Sequence, residues 1–598
     1  MRKNYFKKSM GIIIVAGLMM TSFTGCGRRE EAPTEATKPD STYTEPYAES
    51  GDDVCVEEST TASYDYTEAE STSSMKNTLA GDSTYSNSTL EAETIYNGCI
   101  VPGYEDKEPD AREYNHVSEN DFIATNTENV STFSADVDTA SYSNIRGYIN
   151  NNAMVPEDAV RIEEMINYFH YDYKEPKEGE PFSVNMEVDG CPWNPNHQLV
   201  MIGLKSKAIE NTDRKPTNFV FLIDTSGSMD QSDKLPLVKC AYVKLLSELN
   251  ENDTVSIVTY AGSDEVVLKG ESGNNTDKIA YAIENLEASG STNGSAGINT
   301  AYKIAEKYFK KNGNNHVILA TDGDLNVGVT SEDGLIDLIK EKKESGIFLS
   351  VLVFGNDNLK DNKLEALADN GNGNYAFIDS VYEAKRVLVE EMGSTLETVA
   401  KDVKLQATFD KDVVEKYRLI GYENRMLAKE DFDNDEVDGG EIGSGHEVTA
   451  LYEIVPTKDA DIYGSAENNH ILDLSIRYKE PKEDDSKLLK YTCNYSRDGF
   501  ENQASDNMLW VESVAYFGMI LKNSEYAGQK SIALAQKLAQ VTDYTNDPLR
   551  VEYMSLLDRA ENLYEGSYYY NELDDYNDYG YEEYSDNNET EVNVIEAD

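Results

Sequence analysis

The chain is short of positive charge. Lysine and arginine total 53 against 111 aspartates and glutamates, a net charge of −58 over 598 residues. Nucleic acid is therefore excluded as a partner class, because phosphate binding needs a basic face. An anionic membrane surface repels the bulk of such a chain. Cysteine is scarce as well: six residues with no CxxC pair, which argues against a zinc centre. There is no GxGxxG fingerprint and no P-loop, so nucleotide binding of those kinds has no basis. The stretch TSGSM around Ser226 lacks the GxSxG of a nucleophile elbow, which leaves a hydrolase only as a remote alternative. Beyond the first 25 residues no long uncharged apolar run occurs, so no further membrane span is expected.

What is present begins with the N-terminus. MRKNYFKKSM carries four positive and no negative side chains, GIIIVAGLMMTSF is a short apolar run, and Thr24-Gly25-Cys26 follows. That order is an export signal, residues 1–25, and the run is too short for a comfortable membrane span. The small residues before Cys26 resemble a bacterial lipobox, with Phe23 where leucine is usual. The resemblance implies lipid attachment at Cys26 and a lipid-anchored, extracytoplasmic protein. Residues 26–115 are rich in Ser, Thr and Glu without helical or strand period and read as a disordered stem. A flexible coil of that length spans on the order of 50 Å. Cys55 and Cys99 lie in it, and their pairing is open. The acidic, tyrosine-rich residues 566–598 read as a disordered tail.

Between stem and tail the texture changes twice. Residues 116–215 form an N-terminal segment of mixed α+β character. From residue 216 to 395, apolar strands such as FVFLI, TVSIVTY, HVILAT and IFLSVLVF alternate with amphipathic helices. Strands that are apolar without alternation, separated by helices, predict a mostly parallel sheet covered on both faces. That is a doubly wound, Rossmann-like α/β domain. Residues 396–565 return to extended runs (DVKLQATFD, HEVTALYEIV, HILDLSIRYKE) and end in helices. The expected fold class is thus multidomain α/β with a β-rich C-terminal module.

Ligands of open α/β sheets sit beyond the carboxyl ends of the strands. Three such ends carry oxygen-bearing side chains: Asp224, Ser226 and Ser228 after FVFLI, Thr292 in GSTNGS, and Asp322 in ATDGD. No histidine or cysteine joins them. An oxygen-only set suits a hard cation such as Mg²⁺ or Mn²⁺. Gly227 permits the tight turn that lets both serines face one ion. The bland alternative is that Asp224 and the serines cap a following helix. His446 reads as a packed or turn residue, His316 falls at the opposite sheet edge, and Asp136 with Asp138 is a weak calcium signal without an EF-hand glycine and glutamate.

Asp224-x-Ser226-x-Ser228, then Thr292, then Asp322, resembles the metal-ion-dependent adhesion site (MIDAS) of von Willebrand factor type A (VWA) domains. The resemblance implies that these residues hold the ion directly or through water. It also implies that one coordination position is left for an acidic side chain of a protein partner. The flanks STFSADVDTASYSNIRGYI, VRIEEMINYF, YRLIGYENRMLAKEDFDND and GEIGSGHEVTALYEIVP resemble bacterial A-domain proteins of the YfbK-like type. The expectation is a non-enzymatic, lipid-anchored protein that binds partners through the ion. The alternative is an envelope assembly or scaffolding factor whose metal site is structural.

Overall fold

A computed structural model describes residues 114–577 with short internal breaks, together with the hairpin of Thr94–Tyr96 and Cys99–Val101. Residues 1–25, where an export signal was expected, Cys26, Cys55, Asp136, Thr292 and residues 578–598 lie outside the described residues. Among the described residues no helix is long and apolar enough to cross a membrane.

The centre is a six-stranded sheet of β1 (Thr217–Asp224), β2 (Thr254–Tyr260), β3 (Asp264–Ser272), β4 (Asn314–Thr321), β5 (Phe348–Phe354) and β6 (Tyr375–Ile378). Its order is β6-β5-β4-β1-β2-β3, all parallel except the edge strand β3. Every residue of β1 is buried, because side chains alternate between two covered faces. Phe219, Phe221 and Ile223 meet Val238 and Ala241 of α1 (Leu235–Leu245) and Ile279 and Ile283 of α2 (Thr276–Glu284). Val220 and Leu222 share the opposite core with Ile298 and Tyr302 of α3 (Gly294–Lys307), Leu335 and Ile339 of α4 (Glu332–Glu344), and Leu364 and Leu367 of α5 (Asp361–Asn370). This is the doubly wound α/β domain with a mixed, mostly parallel sheet.

The flanks are built together. Val130–Ser134 pairs with Thr398–Phe409, Ile123–Ala124 with Val414–Ile420, and Gln198–Ser206 with Glu447–Pro456. Two antiparallel sheets result, each holding strands from before and after the central domain. Their inner faces share one core, with Phe133, Leu405 and Leu474 from one sheet and Val200, Ile202, Tyr417 and Tyr452 from the other. The N-terminal helices likewise join a core with the C-terminal ones, Ala140–Asn150 packing on Pro548–Asn577 and Ile162–Ile166 on Asp506–Leu521. The central domain is an insertion between Ser206 and Thr398 of a sandwich closed by both ends of the chain.

An ionic clamp fixes the insertion. Arg146 donates from Nε and Nη2 to the two Asp379 oxygens at 2.7 Å each, and from Nη2 to Glu383 at 2.9 Å. Arg386 closes on Glu383 from the other side. The paired guanidinium groups hold the buried Glu383 carboxyl down to about 2 despite the opposing effect of burial.

Three details depart from expectation. Inside the stretch read as a disordered stem, the short apolar runs TIY and CIV pair as an antiparallel hairpin. The helical run from Val160 shrinks to Ile162–Ile166, because the aromatic residues after it turn away into the shared core, Tyr168, Phe169 and Tyr171 all being buried. At the other end the helix continues to Asn577, past the Gly566-Ser567 pair at which the disordered tail was expected to begin. A glycine in an established helix costs about 1 kcal/mol, too little to stop propagation.

Candidate functional site

The site grows out of the end of β1. Asp224 is its last residue, level with Tyr260 at the end of β2. Strand β4 pairs in parallel with β1, which brings Asp322, just beyond Thr321, up beside Asp224. Both carboxylates are buried, at 0% and 1% exposure.

The loop after Asp224 is tightly held. Thr225 N–H donates to Tyr260 O at 2.9 Å, Ser289 N–H to Thr225 O at 2.7 Å, and Gly227 N–H to Gly290 O at 3.0 Å. Gly290 has φ +83°, a conformation that glycine adopts at no steric cost. Gly227–Met229 then makes a single 3₁₀ turn whose Met229 is a fully buried plug in the core. The Asp224 carboxylate closes the loop by accepting from Ser226 N–H at 2.8 Å. The Ser226 and Ser228 hydroxyls face each other at 3.0 Å. Ser226 is buried and Ser228 exposed, so the pair leads from Asp224 to the surface. Neither this turn nor α1 receives a side-chain cap, which disfavours the capping alternative.

The electrostatics are unbalanced. Asp224 Oδ2 is buried with no hydrogen-bond partner among the described residues. Tyr260 lies close enough to perturb this carboxylate, yet its hydroxyl meets no hydrogen-bond geometry. Burial pushes the Asp224 carboxyl up to about 6, and the neighbouring Asp322 adds to the rise against the Ser226 bonds. Asp322 is compensated differently: Lys234 Nζ donates to its Oδ2 at 3.1 Å, with both side chains 1% exposed.

The structure therefore brings Asp224, Ser226, Ser228 and Asp322 together, while Thr292 falls outside the described residues. These donors fit a hard divalent ion: all are oxygen, two are carboxylates, and one buried carboxylate oxygen lacks a partner among the described residues. No cluster of three or more His, Cys, Asp or Glu side chains placed to hold a metal occurs among the described residues. The candidate set does not belong to that kind, since half of its described donors are hydroxyls.

Other tempting residues are structural. Asp138 accepts from Tyr375 N–H at 3.1 Å and from Arg425 at 3.2 Å. His446 is half-buried, and burial, with the nearby His170, lowers its ring from the usual histidine range. His316 opens β4 at the far end of the sheet. Lys234 was missed by sequence reasoning. In QSDKLPLVK it is indistinguishable from a surface lysine, since only the fold shows its burial.

A doubly wound domain with this oxygen cluster at the carboxyl edge of its sheet is a VWA domain. The family profile "von Willebrand factor type A domain" matches residues 218–391, "von Willebrand factor" matches 108–201, and "Uncharacterized protein YfbK, C-terminal" matches 394–563. The chain is 38% identical over 455 residues to the YfbK protein of Escherichia coli (strain K12), covering 73% of this chain and 78% of that one. It belongs to the YfbK family of VWA-domain proteins. The protein sll0103 of Synechocystis is 31% identical over 189 residues, 32% of this chain and 44% of that one. Among solved structures, a von Willebrand factor type A protein from Catenulispora acidiphila is 14% identical, with a TM-score of 0.35 over 72% of this chain and 90% of that one. VWA domains commonly mediate protein–protein interaction.

Proposed function

We propose that this chain binds a protein partner through a divalent ion, Mg²⁺ or Mn²⁺, held by Asp224, Ser226, Ser228, Thr292 and Asp322. The observation that carries the reading is the buried Asp224 Oδ2, without a hydrogen-bond partner among the described residues, beside two facing serine hydroxyls and a second carboxylate. When bound, the ion supplies a local positive charge that an acidic side chain of the partner can ligate. The chain's own residues position and partly neutralise that charge, and the exposed Ser228 keeps a path to the surface. Beside the loop lies a groove of about 700 Å³ lined by Thr225, Val267, Tyr281, Ser289 and Gly290, with Tyr281 70% exposed. It offers room for the segment that carries the acidic residue. A net charge of −58 gives an acidic partner no long-range attraction, so capture depends on the ion.

The N-terminal pattern ending in Cys26 supports a lipid-anchored, extracytoplasmic setting, with the stem as spacer. A second reading, a scaffold for envelope complexes that works without metal, is favoured by one observation: the Lys234–Asp322 pair already neutralises one of the two carboxylates.

Calorimetric titration of Mg²⁺ and Mn²⁺ into the full chain and into Asp224→Ala separates the two. Saturable binding that the variant loses is expected. Identical heats in both proteins would reduce the ions to surface screening and leave the scaffold reading.

A further inference from the structure

Lysine does not belong in an ion site by default, and this one is built in. Lys234 precedes α1, is 1% exposed, and points its ammonium at Asp322 Oδ2, 3.1 Å away. Its aliphatic stem crosses Gly355, which has φ +81°. A Cβ at that position would lie 2.5 Å from Lys234 Cε and 2.7 Å from Cγ, so the chain reserves space for the stem by having no side chain there. Taking a lysine ammonium out of water is costly unless it is paired. One carboxylate of the candidate site pairs with it, while the other, Asp224, has an oxygen with no partner among the described residues.

We propose that Lys234 is a resident cation of the site, holding Asp322 in the absence of a divalent ion and weakening ion binding when one arrives. The inference rests on the ion-site reading above. Formal charge makes the case. Two carboxylates with a divalent ion sum to zero, so the site's net charge adds nothing to the ion's own ligation of a further carboxylate. With Lys234 the metal-free site carries one negative charge and the loaded site one positive charge. The lysine thus lowers affinity for the ion and raises the attraction of the loaded site for an acidic side chain. In a chain this acidic, that local excess of one positive charge is what a carboxylate would meet.

The test is calorimetric titration of Mg²⁺ and Mn²⁺ into the full chain and into Lys234→Met and Lys234→Gln, with melting curves in chelator and in excess Mg²⁺. Lys234→Gln keeps a hydrogen-bond donor for Asp322 and separates charge from hydrogen bonding. It also guards against a Lys234→Met variant that fails to fold. Both variants are expected to bind the ions about tenfold more tightly or better, since one like charge has left a low-dielectric site. They should melt lower than the native chain in chelator and recover in Mg²⁺. Unchanged or weaker binding by the variants, beside a binding native chain, overturns the role of Lys234 and leaves the ion site standing. Binding by Lys234→Gln beside a native chain that takes no ion supports the role of Lys234 and overturns the metal-dependent function. No binding by any of the three proteins overturns both.

Discussion

The two ends of the central sheet each bury an aspartate, and they treat it in opposite ways. At the amino end, Asp253 accepts from Arg214 Nη1 at 3.3 Å and Nη2 at 2.5 Å, from Thr217 N–H at 2.8 Å and from Asn250 N–H at 2.9 Å. At the carboxyl end, Asp224 accepts from Ser226 N–H, and its second oxygen has no hydrogen-bond partner among the described residues. Asp253 is 1% exposed and Asp224 0%, so burial does not distinguish them. What differs is saturation. A buried carboxylate whose lone pairs are met by a guanidinium and two backbone amides ties strand to loop. One left with an open oxygen is poised for something that arrives from outside. Asp224 Oδ2 is one of several buried side-chain oxygens without a partner among the described residues, Glu163 Oε2 and Glu512 Oε1 being others, and its place at the ligand-binding edge of an α/β sheet is what makes it informative.

The largest expected effect tests the sealed end. Arg214→Ala leaves Asp253 charged and buried with only backbone donors, and should destabilise the protein by about 3–5 kcal/mol. Urea denaturation measures it. A loss below about 1 kcal/mol would mean that the Asp253 network is not what holds this end, and the contrast between the ends would fail.

The open end should respond with the opposite sign. Asp224→Asn removes a buried charge held by one backbone amide and no cation among the described residues, so the metal-free protein should gain stability at neutral pH, by about 1–3 kcal/mol. The same substitution should abolish saturable Mg²⁺ binding. Denaturation in chelator checks the first effect and calorimetry the second. If Asp224→Asn instead destabilises the metal-free protein as Arg214→Ala does, Asp224 is a structural residue like Asp253.

Legibility in the sequence follows the same division. The doubly wound domain could be read because β1, β2, β4 and β5 are covered on both faces and therefore leave continuous apolar runs. Asp224, Ser226, Ser228 and Asp322 could be read because parallel strands deliver consecutive chain ends to one edge. The shared sandwich could not. Nothing in VSTFS announces that it will pair with a strand some 270 residues later, at Lys404–Thr408, since an extended run carries its period but not its partner. Lys234 and Arg214 escaped for a related reason. Charge in a sequence looks solvated, and only packing shows that these two cations are buried against aspartates.

The smallest expected effect concerns His316, at the sealed end, and it asks whether the two ends are independent. His316 is 1% exposed, contacts Ser350 Oγ through Nε2 at 2.8 Å, and meets the edge of Phe348. Burial lowers its ring to about 4. In the unfolded chain it titrates near 6.5. Between those values the unfolded chain takes up a proton that the native chain refuses, so stability is lost as pH falls below about 6.5. Above that pH both states are neutral and the residue contributes no pH dependence. By pH 5 the loss reaches about 1–2 kcal/mol. His316→Gln should remove that increment, so the native and variant proteins should differ in stability by about this much less at pH 5 than at pH 8. Mg²⁺ binding by the variant at pH 8 should match that of the native chain. A parallel pH dependence in the two proteins would show that His316 is not held neutral by burial. A loss of Mg²⁺ binding would show that strand β4 couples its sealed end to its open one, and the contrast would become a connection.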